Sequence, residues 1–381
     1  MRILVAPDSW KASLDAAAVI AATRRGILDA YPAWDIDGVA MADGGEGTAR
    51  VVAAARGGTW WQVETEDAYG RPVTAPLLAL DDGTVVVEVA AGPGFVPPGR
   101  RPRPAWEATS RGLGRMIQAA LDRGARRVVV TLGGTGFSDG GMGMLAVLGA
   151  RWEAPVPPAT TSLGATGPVR LPSLSVPIEC WCDVDSRLTG PAGAVFRFGP
   201  QKGLPDDRLA EWDAAMAEWG RRLSEACGRD VGSVPGAGAA GGAGAALVAL
   251  GASIRPGGEA VADLVGLDAH IARADAVVTG EGAVDAQSAG GKVVGTVARR
   301  AFRLGKPVVA LAGTVGTGAE LLYPQGLTAI FPALLRPMTL DEAVDRAADL
   351  VAQASSHLAR WLAWALGQQG SDTVSNPLRK G

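Results

Sequence analysis

Short runs of hydrophobic, mostly β-branched residues alternate along the chain with alanine-rich amphipathic stretches. Buried strands that alternate with helices are typical of parallel α/β proteins. Several runs lead directly into glycine-rich or acidic loops, which places those loops where α/β proteins bind ligands, at the carboxyl ends of strands. The runs predicted as such strands are Ile3–Ala6, Arg127–Thr131, Ala276–Thr279, Val308–Ala312 and Ala329–Pro332.

The pattern changes between residues 58 and 99, where three strand-like runs follow one another. They are Thr59–Thr65, Val73–Leu80 and Thr84–Ala90, and the Asp-Asp-Gly sequence between the last two is a hairpin signal. We therefore predict two α/β domains. A Rossmann- or flavodoxin-like parallel-sheet domain is built from both chain ends, residues 1–58 and 260–366, and a second α/β domain is inserted at 59–259. The polar, aperiodic tail 367–381 is predicted to be disordered.

Composition excludes several classes of function. The net charge is −3 and aromatic residues are 5% of the chain, so no nucleic-acid partner is expected. The longest small-apolar stretch, residues 237–250, is too short to cross a bilayer, so no membrane partner is expected. Three cysteines without a CxxC pair, and a start without signal-peptide features, predict a cytoplasmic protein. The two histidines lie away from the glycine-rich loops, so carboxylates are expected to transfer protons.

Lysine is rare in this chain, with five lysines against thirty-one arginines, and its positions are selective. Lys11, Lys202 and Lys292 all lie in glycine-rich polar loops. A compact ammonium on a flexible stem suits phosphate in a tight loop better than the planar arginine fork. Chance distribution is the competing explanation.

Carboxylates occupy the same kinds of loop. Asp43 and Glu46 flank a Gly-Gly pair, and Asp183 and Asp185 stand two residues apart, on one face if that segment is extended. Such a pair suits Mg²⁺, which binds a few carboxylates together with substrate phosphates and water. The alternatives are a solvated turn that caps the helix beginning near Thr48, and an acidic pair on an edge strand or turn.

Two glycine-rich loops, residues 132–141 and 235–244, offer backbone N–H groups that can hold an anion or approach a nucleotide. Close packing in a tight turn is the alternative for both. No GK[ST] follows, which excludes an ordinary P-loop, and the first strand lacks the GxGxxG of nicotinamide dehydrogenases. A third set combines Gly280-Glu281-Gly282, Asp285 and Lys292.

Together these loops indicate phosphoryl transfer. That chemistry needs cationic and backbone donors for the phosphates, carboxylates for Mg²⁺ and one carboxylate to accept the acceptor's proton.

At these same loops the chain resembles the bacterial glycerate kinase family, with matching segments in the family's order from residue 1 to about 365. The resemblance implies a two-domain α/β kinase that phosphorylates D-glycerate with ATP and Mg²⁺, with 2-phosphoglycerate as the favoured product. The oligomeric state is left open, with a homodimer as one candidate. The segments that carry the resemblance are residues 6–14, 42–48, 133–134, 139–141, 182–185, 188–191, 199–203, 235–242 and 280–282, and Asp285 with Gly291-Lys292.

We assign expected roles on this basis. Lys11 and Lys202 neutralise phosphate or carboxylate charge, and Asp139 or Asp183 accepts the hydroxyl proton. The other expected groups are substrate-binding Asp8, Ser9, Asp43 and Glu46; phosphate- or nucleotide-binding Gly133, Gly134, Gly236, Gly238, Gly241, Gly242 and Lys292; and magnesium-binding Asp183, Asp185, Glu281 and Asp285.

The chain departs from the family pattern at several of these loops. Residues 135–139 read Thr-Gly-Phe-Ser-Asp where the family usually has Ser-Ala-Thr-Asn-Asp, and Ala283 stands where an arginine is usual. Phe137 and Ala283 remove polar groups from places that could recognise a hydroxy-acid. Two alternatives therefore stay open: a kinase of another small hydroxy-acid, and a non-catalytic ligand-binding paralogue, the latter motivated by Ser138 and Ala283.

Overall fold

The structure is a computed structural model, and it describes residues 1–11, 13–157, 159–290 and 292–367. Within them the chain forms thirteen strands and twelve α-helices. The strands β1 to β13 are Arg2–Pro7, Asp35–Gly38, Thr59–Glu66, Pro72–Ala79, Thr84–Glu88, Arg127–Thr131, Arg151–Trp152, Val169–Arg170, Ile178–Cys182, Ser253–Pro256, Ala276–Val284, Val308–Val315 and Ala329–Pro332. The helices α1 to α12 are Ala16–Ala30, Thr48–Arg56, Arg111–Asp122, Met142–Val147, Ala194–Lys202, Leu209–Cys227, Ala243–Ala249, Gly257–Leu264, Leu267–Arg273, Val293–Arg303, Leu340–Asp345 and Ala347–Ala365.

The chain divides into two compact units. The first contains Met1–Ala40, Ala269–Ala286 and the chain from residue 297 onward, and the second contains Met41–Asp268 and Gln287–Thr296. Relative to the predicted domain boundaries, residues 41–58, 260–268 and 287–296 lie in the second unit. Helices explain the placement of the first two segments, because α2 contacts β4 and β5 while α8 contacts β9 and β10. From residue 368 on, the predicted tail lies outside the described residues.

The first unit is built on five parallel strands in the order β2-β1-β11-β12-β13. Counted within this unit the order is 2-1-3-4-5, which is the flavodoxin-like doubly wound topology. Ile3, Val5 and Val278 on the strands are fully buried and belong to one core with Ile27 of α1 and Leu358 of α12. The α/β class and the parallel sheet predicted from the hydrophobic runs are confirmed in this unit.

The second unit has a six-stranded sheet in the order β10-β9-β6-β5-β4-β3. The strands β10, β9, β6 and β5 are parallel, and β4 and β3 add an antiparallel edge. The predicted hairpin between β4 and β5 is confirmed: Gly83 has φ +84° and the Thr84 N–H donates to the Asp82 carboxylate at 2.9 Å. The indole rings of Trp212 and Trp219 on α6 fill the core of this unit.

The glycine-rich segment 280–282 differs from the sequence expectation. We expected a loop after Thr279, but β11 continues to Val284, and Ala283 pairs with Thr314 of β12. β1 pairs with this segment only at Gly280, so it is pairing with β12, which continues to Val284, that holds the segment extended and outweighs the low strand propensity of its glycines. Within the described residues, none of the helices has the length and apolar content to cross a membrane.

Candidate functional site

In the first unit, predicted site residues meet at the point where the strand order reverses, between β1 and β11. Asp8 and Ser9 follow β1, and the Asp8 N–H donates to the carbonyl of Gly280 on β11 at 2.9 Å. A Cβ added to Gly282 would lie 3.7 Å from the backbone nitrogen of Lys11. The structure thus brings Asp8, Ser9 and Lys11 beside the strand that carries Glu281.

The side chains at this switch point differ in exposure. Asp8 is buried, and one of its carboxylate oxygens accepts from the Ser9 N–H at 2.6 Å and from the Ser9 hydroxyl at 3.3 Å. Glu281 is also buried, while Asp285 is half-buried directly after β11 and Lys11 is exposed. The first unit therefore holds two carboxylates at fixed positions and presents an ammonium to solvent.

In the second unit, residues 41–47 pass across the carboxyl ends of the parallel strands at very short range. A Cβ on Gly133, after β6, would lie 2.5 Å from the Cα of Gly45, and a Cβ on Gly44 would lie 2.9 Å from the carbonyl carbon of Trp181 on β9. Such an approach requires glycine. The segment is thereby fixed with Asp43 buried and Glu46 exposed, and an Asp43 oxygen accepts from the Gly45 N–H at 2.9 Å.

Glu88 completes this arrangement, and sequence reasoning missed it. It is the last residue of β5, and its carboxylate accepts hydrogen bonds from the backbone N–H groups of Gly47 and, at 3.1 Å, of Ala49 at the start of α2. Burial raises the pKa of Glu88, and these two hydrogen bonds oppose the rise. The available signal was a single carboxylate inside the otherwise mostly hydrophobic run Thr84–Ala90.

Asp139, one of the two candidate bases, is completely buried. One carboxylate oxygen accepts from the Ser110 N–H at 2.8 Å, the Ser110 hydroxyl at 3.0 Å, the Thr109 hydroxyl at 3.1 Å and the Gly143 N–H at 3.0 Å. The other accepts from the Gly141 N–H at 3.1 Å. Burial raises the pKa of Asp139, and these hydrogen bonds oppose the rise. The carboxylate thus joins the start of α4 to the segment before α3.

Lys202, one of the predicted phosphate-neutralising lysines, ends α5 and is 6% exposed. Its ammonium donates to the Thr135 hydroxyl at 2.9 Å and to the Phe137 carbonyl at 2.7 Å. It also lies 5.7 Å from the centre of the Phe137 ring. Burial lowers the pKa of Lys202 to about 7, and the nearby charge of Asp139 opposes the decrease. Its contacts are therefore with residues 133–141 after β6.

Asp183 and Asp185 follow β9 directly, at the same edge of the sheet. Asp183 is half-buried, whereas the side chain of Asp185 is 86% exposed and lies 3.4 Å from Arg197. Among the residues that the structure describes, no group of three or more histidine, cysteine or carboxylate side chains could hold a metal. Two carboxylates nevertheless fit Mg²⁺, because this ion takes its remaining ligands from phosphates and water.

The second glycine-rich loop, residues 236–244, is buried throughout. A Cβ on Gly241 would lie 2.3 Å from the Phe137 carbonyl oxygen, and one on Gly238 would lie 2.3 Å from the Arg187 carbonyl oxygen. Gly140 also donates its N–H to the Gly241 carbonyl at 3.0 Å. Packing alone therefore requires glycine here. The nucleotide contacts expected of Gly236, Gly238, Gly241 and Gly242 remain a prediction, as do those of Gly134 and of Lys292, which is half-buried just before α10.

The departures from the family pattern lie in different environments. The side chain of Phe137 is fully buried in the core, so it occupies no surface on which a substrate could be recognised. Ser138 is buried, and its hydroxyl has no hydrogen-bond partner among the described residues. Ala283 is exposed on β11.

Comparison with known proteins gives one consistent result. Residues 3–363 match the model of the glycerate kinase family. The chain is 36% identical to the glycerate 2-kinase of Escherichia coli K12 over 97% of its own length and 100% of that protein, and 35% identical to the glycerate kinase of Bacillus subtilis 168 over 94% and 97%. The crystal structure of putative glycerate kinase 2 from Salmonella typhimurium LT2 is similar with a TM-score of 0.80 at 35% identity, covering 97% of this chain and 100% of that one.

The fold and these relatives define a phosphotransferase that acts on an alcohol group. The chain belongs to the glycerate kinase family. The family predicted from the loops is therefore confirmed.

Proposed function

We propose that this protein is an ATP- and Mg²⁺-dependent glycerate 2-kinase that converts D-glycerate to 2-phosphoglycerate. The observation that carries the proposal is the similarity to the E. coli glycerate 2-kinase, which extends over the whole of that protein. Further support comes from the loops after the parallel strands, which carry carboxylates in each unit and the exposed Lys11 in the first, groups of the kind that phosphoryl transfer needs.

In the second unit, Asp183 is the proposed general base. As the 2-hydroxyl oxygen of glycerate bonds to the γ-phosphorus, the bond from that phosphorus to the bridging oxygen breaks, ADP leaves, and the hydroxyl proton passes to Asp183. Asp139 is disfavoured in this role because it is fully buried and its carboxylate already accepts five hydrogen bonds from the protein.

The remaining roles are proposed unit by unit. In the first unit, the exposed Lys11 binds an anionic group, the Asp8–Ser9 turn binds substrate, and Glu281 and Asp285 are candidate magnesium ligands. In the second unit, Asp43 and Glu46 bind substrate, and Asp185 is a candidate magnesium ligand; Asp183 is the alternative ligand if Asp183 is not the base. Bound Mg²⁺ would neutralise phosphate charge during transfer.

The protein is proposed to act in the cytoplasm. Cys180, Cys182 and Cys227 are free thiols, which supports a reducing compartment.

The test is a coupled assay of ADP release with D-glycerate, ATP and Mg²⁺, followed by ³¹P NMR of the product. We expect 2-phosphoglycerate, no turnover with EDTA, and a loss of about 10²–10⁴ in kcat for Asp183→Asn with unchanged unfolding. Formation of 3-phosphoglycerate, or ADP release only with another hydroxy-acid in a parallel screen, would replace the proposed reaction. Thermal stabilisation by D-glycerate and ATP without ADP release would favour the non-catalytic alternative.

A further inference from the structure

Lys202 differs from the other lysines that the structure describes by its burial. Lys11 is exposed and Lys292 and Lys306 are half-buried, whereas Lys202 is 6% exposed at the end of α5. A buried ammonium is unfavourable unless its hydrogen bonds are made within the protein. Its partners are therefore informative about what it does.

Within the described residues, both hydrogen bonds of this ammonium go to one loop. The acceptors are the Thr135 hydroxyl at 2.9 Å and the Phe137 carbonyl at 2.7 Å, two residues apart on the segment 133–141. The same segment begins with Gly133, which lies against Gly45 at the carboxyl end of β6. Further along, Gly140 accepts a hydrogen bond from the indole N–H of Trp219 at 2.9 Å. Lys202 therefore holds the part of the segment nearest the predicted anion-binding glycines.

We propose that Lys202 is a positioning residue for phosphoryl transfer, which acts through Thr135 and Phe137 by tethering segment 133–141 to α5. The proposal rests on the proposed function, since it deepens the role of the glycines that this segment carries. This positioning role takes the place of the role expected from the sequence, in which the Lys202 ammonium contacts a phosphate directly.

The charge state of Lys202 agrees with tethering. Burial lowers the pKa of Lys202 to about 7, with the charge of Asp139 opposing the decrease. A neutral amine still has two N–H donors, enough for the two observed acceptors. A tether therefore needs no positive charge, whereas neutralising a phosphate does.

The first test measures the segment itself, without substrate. Hydrogen–deuterium exchange of peptides covering residues 132–142 is followed in the whole protein for Lys202→Met, Thr135→Val and Thr135→Ser. Lys202→Met removes the donor at similar length, Thr135→Val removes one acceptor at equal size, and Thr135→Ser keeps the hydroxyl as the matched control. We expect faster exchange in the first two variants and wild-type exchange in the third. Unchanged exchange in both Lys202→Met and Thr135→Val would overturn the proposal.

The second test uses turnover. We expect Lys202→Met and Thr135→Val each to lower kcat by about 10- to 100-fold, since a misplacement near 1 Å reduces turnover by about that much, and the double variant to be no worse than Lys202→Met. A phosphate-binding lysine gives another result: Thr135→Val within about twofold of wild type, with a far larger loss in Lys202→Met. If Lys202→Met does not fold, the comparison of Thr135→Val with Thr135→Ser tests the proposal by itself. A wild type inactive on every hydroxy-acid refutes the proposed function, while the exchange experiment still tests the tether.

Discussion

Replacing Asp139 by alanine is expected to destabilise the second unit before it affects any chemistry. The carboxylate is fully buried and accepts hydrogen bonds from three backbone N–H groups, those of Ser110, Gly141 and Gly143, and from the hydroxyls of Thr109 and Ser110. Alanine removes both acceptor oxygens, so the three N–H groups and two hydroxyls lose the acceptor they share.

The magnitude follows from the groups left without a partner. The two hydroxyls can rotate toward other acceptors, but the three N–H groups are fixed by the backbone. An unsatisfied buried donor costs about 1–2 kcal/mol, so with three such donors Asp139→Ala should lose about 3–6 kcal/mol of unfolding free energy. Asp139→Asn keeps the oxygen that accepts four of the five bonds and turns an NH₂ group toward Gly141. Its loss should be about 1–2 kcal/mol.

The assay has to report on the second unit alone, because a chain with two units need not unfold in a single transition. Urea-dependent hydrogen exchange of peptides from α3 and α4, which Asp139 joins, gives that local stability. Asp183→Asn is the matched control, since it changes a carboxylate of the same unit to the same amide at a half-buried position. It should leave the local stability within about 0.5 kcal/mol.

One combination of results would refute this reasoning. If Asp139→Ala kept its local stability within about 1 kcal/mol while activity fell more than about 10³-fold, Asp139 would act in the reaction and not in the scaffold.

Three further variants test other contacts of the second unit. The unfolding free energy of the wild type relative to Lys202→Met should rise by about 2–3 kcal/mol between pH 7 and 9. Folded Lys202, with a pKa of about 7, releases a proton in this range, whereas Lys202 of the unfolded chain keeps its proton to about pH 10.5. Equal pH slopes of the two proteins in urea titrations would contradict this. Glu88→Ala should lose about 1–2 kcal/mol of unfolding free energy in urea. Because the pKa of Glu88 is raised in the folded state, its contribution to stability should fall as pH rises above 4.5, and this pH dependence should be absent in Glu88→Gln. Gly133→Ala places its Cβ 2.5 Å from the Gly45 Cα and should lose about 1–3 kcal/mol, whereas Gly99→Ala, with nothing within 4 Å, should match wild type in the same thermal-melt assay.

The strands that the sequence predicts well are those that carry several consecutive apolar residues, whether they are largely buried, as β6 is, or only partly buried, as β13 is. The run Arg127–Thr131 is β6 without change, and Ala329–Pro332 is β13. We did not predict β2, β7, β8, β9 or β10, of which β10, Ser253–Pro256, has a single large apolar residue. Strands of that kind are held by pairing with a neighbour that the local sequence does not reveal, here β9.

The candidate site also has parts that the local sequence predicts and parts that it does not. Motif spacing identified the loops at the carboxyl ends of the strands, because glycines and acidic residues after a hydrophobic run are a local signal. It did not identify Glu88, whose hydrogen bonds to Gly47 and Ala49 join residues about forty positions apart. Partners that distant are brought together by sheet order, which no local pattern specifies.

Local patterns also cannot separate a polar residue that binds substrate from one that satisfies the backbone. Asp139 and Asp183 both follow strands beside glycines or other carboxylates, and either fits a general base by residue type. Burial separates them: the tight glycine turns that expose N–H groups for an anion also create buried N–H groups that need an acceptor. Asp139 meets that need in the loop of residues 132–141, whereas Asp183 is half-buried and keeps the partial exposure that the proposed base requires.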